Sequence, residues 1–179
     1  MNLKTDRLLI RDIKKDDLEA VHRYASNAEN TLHMDWGTNS KQETKKFIAT
    51  ALSEQKERPR KNYELAIVLL DNRGKAKELI GGVGLQIQSA INHDASFGYI
   101  LRKDQWRKGY GSEAAEAIIR FGFSKLKLHR IWATCRPENK ASIGVLKKLG
   151  FSREGYLRDN KFIRGQFKDS LLYARLNSD

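Results

Sequence analysis

The stretch Leu101-Arg-Lys-Asp-Gln-Trp106-Arg-Lys-Gly109-Tyr-Gly111-Ser112 carries the residue types best suited to chemistry in this chain. It separates an alternating apolar segment from a longer helical one and so forms a strand–loop–helix corner. Such a corner aims the free N–H groups of the helix's first turn, with the positive end of its dipole, at one spot. That spot is an anion site. Gly109 and Gly111 let the backbone approach a pyrophosphate with no side chain between, and Arg107 and Lys108 add positive charge. The pattern is neither a Rossmann fingerprint, since a third glycine is missing, nor a Walker A loop, since no Gly-Lys-Ser/Thr closes it. Residue chemistry alone therefore gives a phosphate-binding loop. The competing reading is a plain turn whose glycines serve only its conformation.

Little else in the chain is shaped for metal or redox chemistry. His22, His33, His93 and His129 lack metal-ligand spacing, so no metal is expected. Cys135 is the single cysteine, which excludes an internal disulfide and a cysteine-based metal cluster; it reads as a small buried residue in a strand. The longest apolar runs, such as Leu65 to Leu70, are far too short to span a bilayer, and no signal-peptide core follows Met1. The expectation is a cytoplasmic protein without a membrane partner.

Periodicity supplies the elements that must hold the loop in place. Arg7 to Ile13 alternates and predicts a first strand; Lys14 to Ala25 predicts a helix with Leu18, Val21 and Ala25 on one face. Ser40 and Glu43 fit a capping box for a helix running to about Lys56. Asn62 to Leu70 and Glu78 to Ile87 read as strands around a turn at Asp71 to Gly74, and Ala95 to Leu101 as a fourth strand. Beyond the loop, Ser112 to Leu126 is a helix with Ala115, Ile118, Ile119 and Phe123 on one face. His129 to Cys135 is a fifth strand, and Asn139 to Leu149 a helix closed by Gly150. Phe151 to Tyr156 and Gln166 to Leu176 complete the set. This order implies an α/β (α+β) architecture, a mixed sheet with helices on both faces. No repeat or linker interrupts residues 1–179, which read as one domain.

Charge narrows the partners. With 40% hydrophobic and 31% charged residues the chain reads as globular. Its net charge of +12 favours polyanionic partners (phosphates, nucleic acid, an acidic protein) and weighs against a polycationic substrate.

Trp106-Arg-Lys-Gly109-Tyr-Gly111 resembles the [Q/R]-x-x-G-x-[G/A] motif of the GNAT acetyltransferases, and with Ser112-Glu113-Ala114 resembles the W-G-K-G-Y-A-T-E-A of their RimJ/RimL branch. Three further segments follow in the branch's order. Thr5-Asp-Arg7-Leu8 to Arg11 resembles its opening T-x-R-L-x-L-R. Asn139-Lys-Ala-Ser142, then Leu149-Gly150-Phe151, resembles its N-x-x-S and L-G-F. Lys168-Asp169 to Tyr173 resembles its closing R-D-x-x-x-Y. The likeness covers nearly the whole chain.

The resemblance implies a mostly antiparallel sheet of about seven strands in which the fourth and fifth splay apart. Acetyl-CoA is the implied co-substrate. Its pyrophosphate would sit on Trp106 to Ser112, that is Trp106, Arg107, Lys108, Gly109, Tyr110, Gly111 and Ser112, and its pantetheine arm along Tyr99, Ile100 and Leu101, with Asn139 and Ser142 nearby. The implied reaction is direct attack of a neutral amine on the thioester. The tyrosine that many relatives use to protonate the thiolate is Leu146 here, and the role passes to Ser142. Asn139 and Ser142 also read as an ordinary N-cap and first-turn serine. The glutamate common in the fourth strand is replaced by Ser96, so the base is open; Glu64 and Asp94 are available but read as charges at strand ends. The acceptor side would involve Met34 and Trp36, the latter a lid or a core residue, together with Ser96. The acceptor expected is a protein N-terminus of the ribosomal-protein type, with ribosome association and a homodimer compatible with the family. The alternatives are a small amine (polyamine, amino acid or aminoglycoside) and a non-catalytic acyl-CoA- or RNA-binding module.

Overall fold

The computed structural model describes all 179 residues. One eight-stranded sheet runs in the order β1-β2-β3-β4-β5-β6-β8-β7. Its strands are β1 (Asn2–Lys4), β2 (Leu8–Asp12), β3 (Asn62–Leu70), β4 (Ala76–Ser89), β5 (Asp94–Leu101), β6 (Arg130–Cys135), β7 (Ser152–Ile163) and β8 (Gln166–Leu176). The helices are α1 (Leu18–Ala25), α2 (Ala28–Thr31), α3 (Lys41–Glu54), α4 (Tyr110–Ser124) and α5 (Lys140–Lys148).

Strand β3 shows why helices cover both faces. Successive side chains in a strand point to opposite faces. Leu65 and Ile67 join the larger core with Ile118 and Ile119 of α4. Ala66 and Val68 join a second core with Val21 of α1 and Ile48 of α3. All four β3 residues are buried, so the strand reads as a continuous apolar run. Each fully buried Leu or Ile contributes about 1.5–3 kcal/mol of transfer free energy.

The mostly antiparallel sheet and two helical layers match expectation, with corrections at the edges. There are eight strands rather than about seven, because Asn2–Lys4 pairs with β2 through Leu3 and Ile10. Three residues are too few to display a period. Strand β7 runs to Ile163, beyond the expected Tyr156, although its outer half is polar. Arg164 and Gly165, at φ 51° and 78°, close it onto β8 as a two-residue turn whose twist suits a hairpin. Helix α2 was not expected; Asn27 caps it by accepting from the Glu29 and Asn30 N–H groups. The expected capping box forms: Ser40 N–H donates to Glu43 Oε2 at 2.7 Å, and Glu43 N–H to Ser40 Oγ at 3.2 Å.

The strands expected fourth and fifth are β5 and β6, the one parallel pair. They are in register only from Asp94–Arg130 to Ser96–Trp132. Beyond Ser96, β5 stays paired with β4 as far as Leu101, and β6 with β8 as far as Cys135. The two strands therefore part, and from Phe97 onward one edge of β5 has no strand beside it.

Candidate active site

At the end of that open edge stands the loop singled out in the sequence. Gly109, at φ 82°, sits in the left-handed region and starts α4 with no side-chain cap. The backbone N–H groups of residues 107–112 find no acceptor in the protein. Unpaired N–H groups at a helix start, behind a left-handed glycine, form an anion nest. Gly111 has a second reason to lack a side chain: a Cβ there would lie 3.0 Å from the Tyr99 ring. That contact seats the helix start against β5. Exposed Lys108 flanks the nest. Trp106 is half-exposed, and its indole donates to the Leu101 carbonyl at 2.8 Å. That carbonyl is thus occupied, and pairing along β5 falls to groups before it, around Tyr99 and Ile100.

Arg7 and Glu113, to which the sequence assigned no role, fasten the loop. Arg7 Nε donates to Glu113 Oε2 at 2.7 Å, and Arg7 Nη1 to the Lys108 carbonyl at 3.0 Å. The Arg7 guanidinium lies 4.7 Å over the Tyr110 ring. Thr5 Oγ1 and the Arg7 N–H both donate to Glu113 Oε1, at 2.6 and 3.0 Å. Burial alone would raise the Glu113 carboxyl, but these hydrogen bonds outweigh it and hold the group below its ordinary range. The signal lay in the Thr5-x-Arg7 opening and in Glu113 directly after the loop; only the fold joins them, across 106 residues.

Inside the splay, Asn139 caps α5 by accepting from the Ser142 N–H at 3.1 Å. Burial pushes the Tyr99 phenol up, and the nearby Ser142 hydroxyl draws it partly back. Cys135, at the end of β6, is buried and close enough to affect the same phenol. Tyr99 and Ser142 thus form a pair of hydroxyls on the open edge. Leu146, where relatives carry a tyrosine, is 2% exposed in the core and offers nothing to the cleft.

Alongside β5, lined by five consecutive residues of that strand from Ser96 to Ile100, lies a cavity of about 600 Å³. It is walled by α1, α3, the segment before α3 and strands β3 to β5. Met34, Trp36 and Ser96, the three residues expected on the acceptor side, all line it. Trp36 is 39% exposed at its surface, so it is a wall and not a core residue. Ser96 Oγ accepts from Gln88 Nε2 at 2.9 Å.

Glu64 is the residue the sequence undervalued. It lies in mid-strand, opposite Gly84 and facing the cavity, not as a surface charge at a strand end. A Cβ on Gly84 would come within 3.0 Å of its carboxylate. Burial raises its pKa, Glu54 adds to the rise, and Arg60 opposes it; no hydrogen bond stabilises the charged form. Its charge, after burial, helps to keep the neighbouring Tyr24 phenol protonated. Asp94 is also no surface charge. It starts β5 in the paired half, accepts from the Trp132 indole at 3.0 Å, and keeps one buried oxygen unpartnered. No strand period could tell these two carboxylates apart, because burial depends on what packs over them.

The arrangement joins an anion nest, an open strand edge with two hydroxyls, and a cavity with one unpaired carboxylate. This suits a long phosphorylated amide lying along β5 and reacting with a group held beside Glu64. Residues 7–152 match the acetyltransferase (GNAT) domain family. A GNAT-family acetyltransferase structure from Bacillus anthracis superposes with a TM-score of 0.85 at 32% identity, covering 100% of both chains. The [ribosomal protein uS5]-alanine N-acetyltransferase of Escherichia coli is 36% identical over 58% of this chain and 54% of its own length. The spermidine N(1)-acetyltransferase of the same organism is 26% identical over 90% and 82%.

Proposed function

The chain belongs to the GNAT family and is an acetyl-CoA-dependent N-acetyltransferase, and from that premise we propose that it acetylates the N-terminal amine of a protein, of the ribosomal-protein type, in the cytoplasm. The observation that carries the acceptor reading is the single free carboxylate of the cavity. Of the two acidic side chains lining it, Glu43 is engaged in the capping box and Glu64 alone is unpaired. The walls around it, Met34, Trp36, Phe47 and Tyr24, are mainly apolar. One ammonium followed by a small or apolar side chain fits this chemistry. A polyamine would leave its further charges against apolar walls, and the net charge of +12 repels it at longer range.

Acetyl-CoA supplies the thioester carbonyl that the amine attacks. The residues present suit it: the free N–H groups of residues 107–112 would hold its pyrophosphate, and the edge of β5 around Tyr99 and Ile100 would offer peptide groups to its amide arm. Glu64 removes the ammonium proton, since a protonated amine has no lone pair. Its raised pKa, set mainly by burial, makes it a stronger base than an ordinary glutamate. Ser142 hydrogen-bonds the departing sulfur, and Tyr99, held protonated by burial, backs it as the proton source. Asn139 fixes Ser142 through the cap.

A small-amine acceptor is the second reading, favoured by the size of the cavity and by the similarity to the spermidine enzyme. Coenzyme A release, measured on N-terminal peptides, spermidine and free amino acids at equal concentration, separates the two. Turnover highest on peptides with a free N-terminus supports the proposal; spermidine as the best acceptor overturns it.

A further inference from the structure

Two glycines of β4 clear the floor of the acceptor cavity and set two polar groups side by side. Gly82 and Gly84 are two residues apart in the strand, so they present the same face. Both line the cavity. A Cβ on Gly82 would lie 3.1 Å from the Tyr24 hydroxyl, and one on Gly84 3.0 Å from the Glu64 carboxylate. The hydroxyl and the carboxylate therefore stand over successive positions of one face, a strand repeat of about 7 Å. Glu64, Gly84 and Gly98 share one row across β3, β4 and β5. A Cβ on Gly98 would meet nothing within 4 Å, so the clearing runs on from Glu64 to the open edge of β5.

The Tyr24 hydroxyl has no partner in the protein. Tyr24 is 4% exposed, the least of the polar side chains lining the cavity. Burial, aided by the Glu64 charge, keeps its phenol protonated, and no hydrogen bond contributes. A buried phenol normally finds a partner. The residue is also fixed from its other end. Its carbonyl accepts from Asn30 Nδ2 at 3.2 Å, and Asn30 Oδ1 accepts in turn from the Lys103 N–H at 3.0 Å. Asn30 is itself buried, so the end of α1 is tied to the turn that leads into the glycine loop.

We propose that Tyr24 sets acceptor specificity: its hydroxyl donates to the carbonyl of the acceptor's first residue while Glu64 binds the α-amine, so the site selects α-aminoacyl amides, the chemistry of a polypeptide N-terminus. The proposal rests on the N-terminal acceptor reading and adds the group by which that acceptor is recognised. In such an amide the nitrogen and the carbonyl oxygen lie about 3 Å apart, and a hydrogen bond of about 2.8 Å at each end spans the interval between the two side chains. A polyamine carries methylenes where the carbonyl should be and leaves the hydroxyl unpaired. A free amino acid brings a second carboxylate beside Glu64. A site built to bond a polar group rejects analogues that lack it.

The test compares an N-terminal dipeptide amide with its alkene isostere. In the isostere a trans CH=CH replaces the first peptide bond, which keeps the amine and the shape and removes the carbonyl. With acetyl-CoA saturating, the unaltered protein should have a kcat/KM about tenfold higher on the amide. Tyr24→Phe keeps the ring and should abolish that preference: kcat/KM falls about tenfold on the amide and is unchanged on the isostere. The Kd for acetyl-CoA, measured on the same variant, should stay unchanged. A preference absent from the unaltered protein, or one that survives Tyr24→Phe, overturns the Tyr24 contact and leaves the N-terminal reading standing. Rejection of both compounds overturns the acceptor reading, and the Tyr24 contact with it.

Discussion

Glu64 and Glu113 are two partly buried carboxylates whose surroundings push them in opposite directions. Glu113 has three hydrogen bonds and stays ionised. Glu64 has none, and burial favours its neutral form. The sign of the stability effect follows. A raised carboxyl pKa costs the folded state once the pH passes the unfolded value, about 4.3. The cost grows until the folded pKa is passed. Glu64→Gln should therefore melt higher than the unaltered protein at neutral pH, with the difference vanishing at acid pH. Its kcat/KM should fall by about 100-fold or more, the usual weight of a general base. Thermal melts from pH 4 to 8 beside steady-state kinetics check both; a lower melting temperature with unchanged kcat/KM would refute the assignment. A site that gives up stability for a reactive group is the common compromise in enzymes.

Among the elements, the N-terminal segment before β2 and the start of α4 act as one unit. Nothing local holds Gly109 and its neighbours in a nest; Arg7 does so from the far side of the sequence, through the Lys108 carbonyl, Glu113 and the Tyr110 ring. Arg7→Ala should raise the Kd for acetyl-CoA about tenfold and leave the acceptor KM unchanged, since neither Arg7 nor any of residues 107–112 lines the cavity. Arg7→Lys should not rescue it, because an ammonium lacks the planar fork that reaches carboxylate and carbonyl together. Calorimetric titration with acetyl-CoA measures both. The place of that loop, between β5 and α4 with Gly109 at the turn into the helix, also reads from sequence. The outer half of β7 does not, because it shows no alternation: of residues 158–163 only Ile163 is buried, so no face is apolar along its length.

For the molecule as a whole, acidic conditions should act through three carboxylates. Asp12 binds Arg60 and the N-terminal ammonium, Asp17 binds Arg11 at 2.7 and 2.8 Å, and Glu113 binds Arg7. For each, burial raises the pKa, but its partners lower it further. A depressed carboxylate stabilises the fold above its unfolded pKa, near 4, and that contribution is lost as pH falls through the lower folded value. The contribution of these three carboxylates to the urea midpoint should hold steady from pH 7 to about 5 and fall away below 4. Asp12→Asn/Asp17→Asn should start lower and lose less on acidification, which urea titration at each pH will record. These pairs tie β1, β2 and the approach to α1 together, so acid should release the N-terminal segment, and with it the Arg7 brace.

The sequence by itself determined what local order and period can specify: seven of the eight strands and the four longer helices in their order, the helices on both faces of the sheet, the cap at Ser40, the glycine loop before α4, and the family. Each is written in residues a few positions apart. Tertiary structure alone decided the rest. It set the point beyond Ser96 where β5 and β6 part and the joining of Arg7 to Glu113. It also buried Glu64 over Gly84 and brought the β7–β8 tip beside Trp36. The physical reason is the same in each case. A pKa, an orphaned backbone group or an exposed aromatic gets its meaning from what packs against it, and those neighbours arrive from distant parts of the chain.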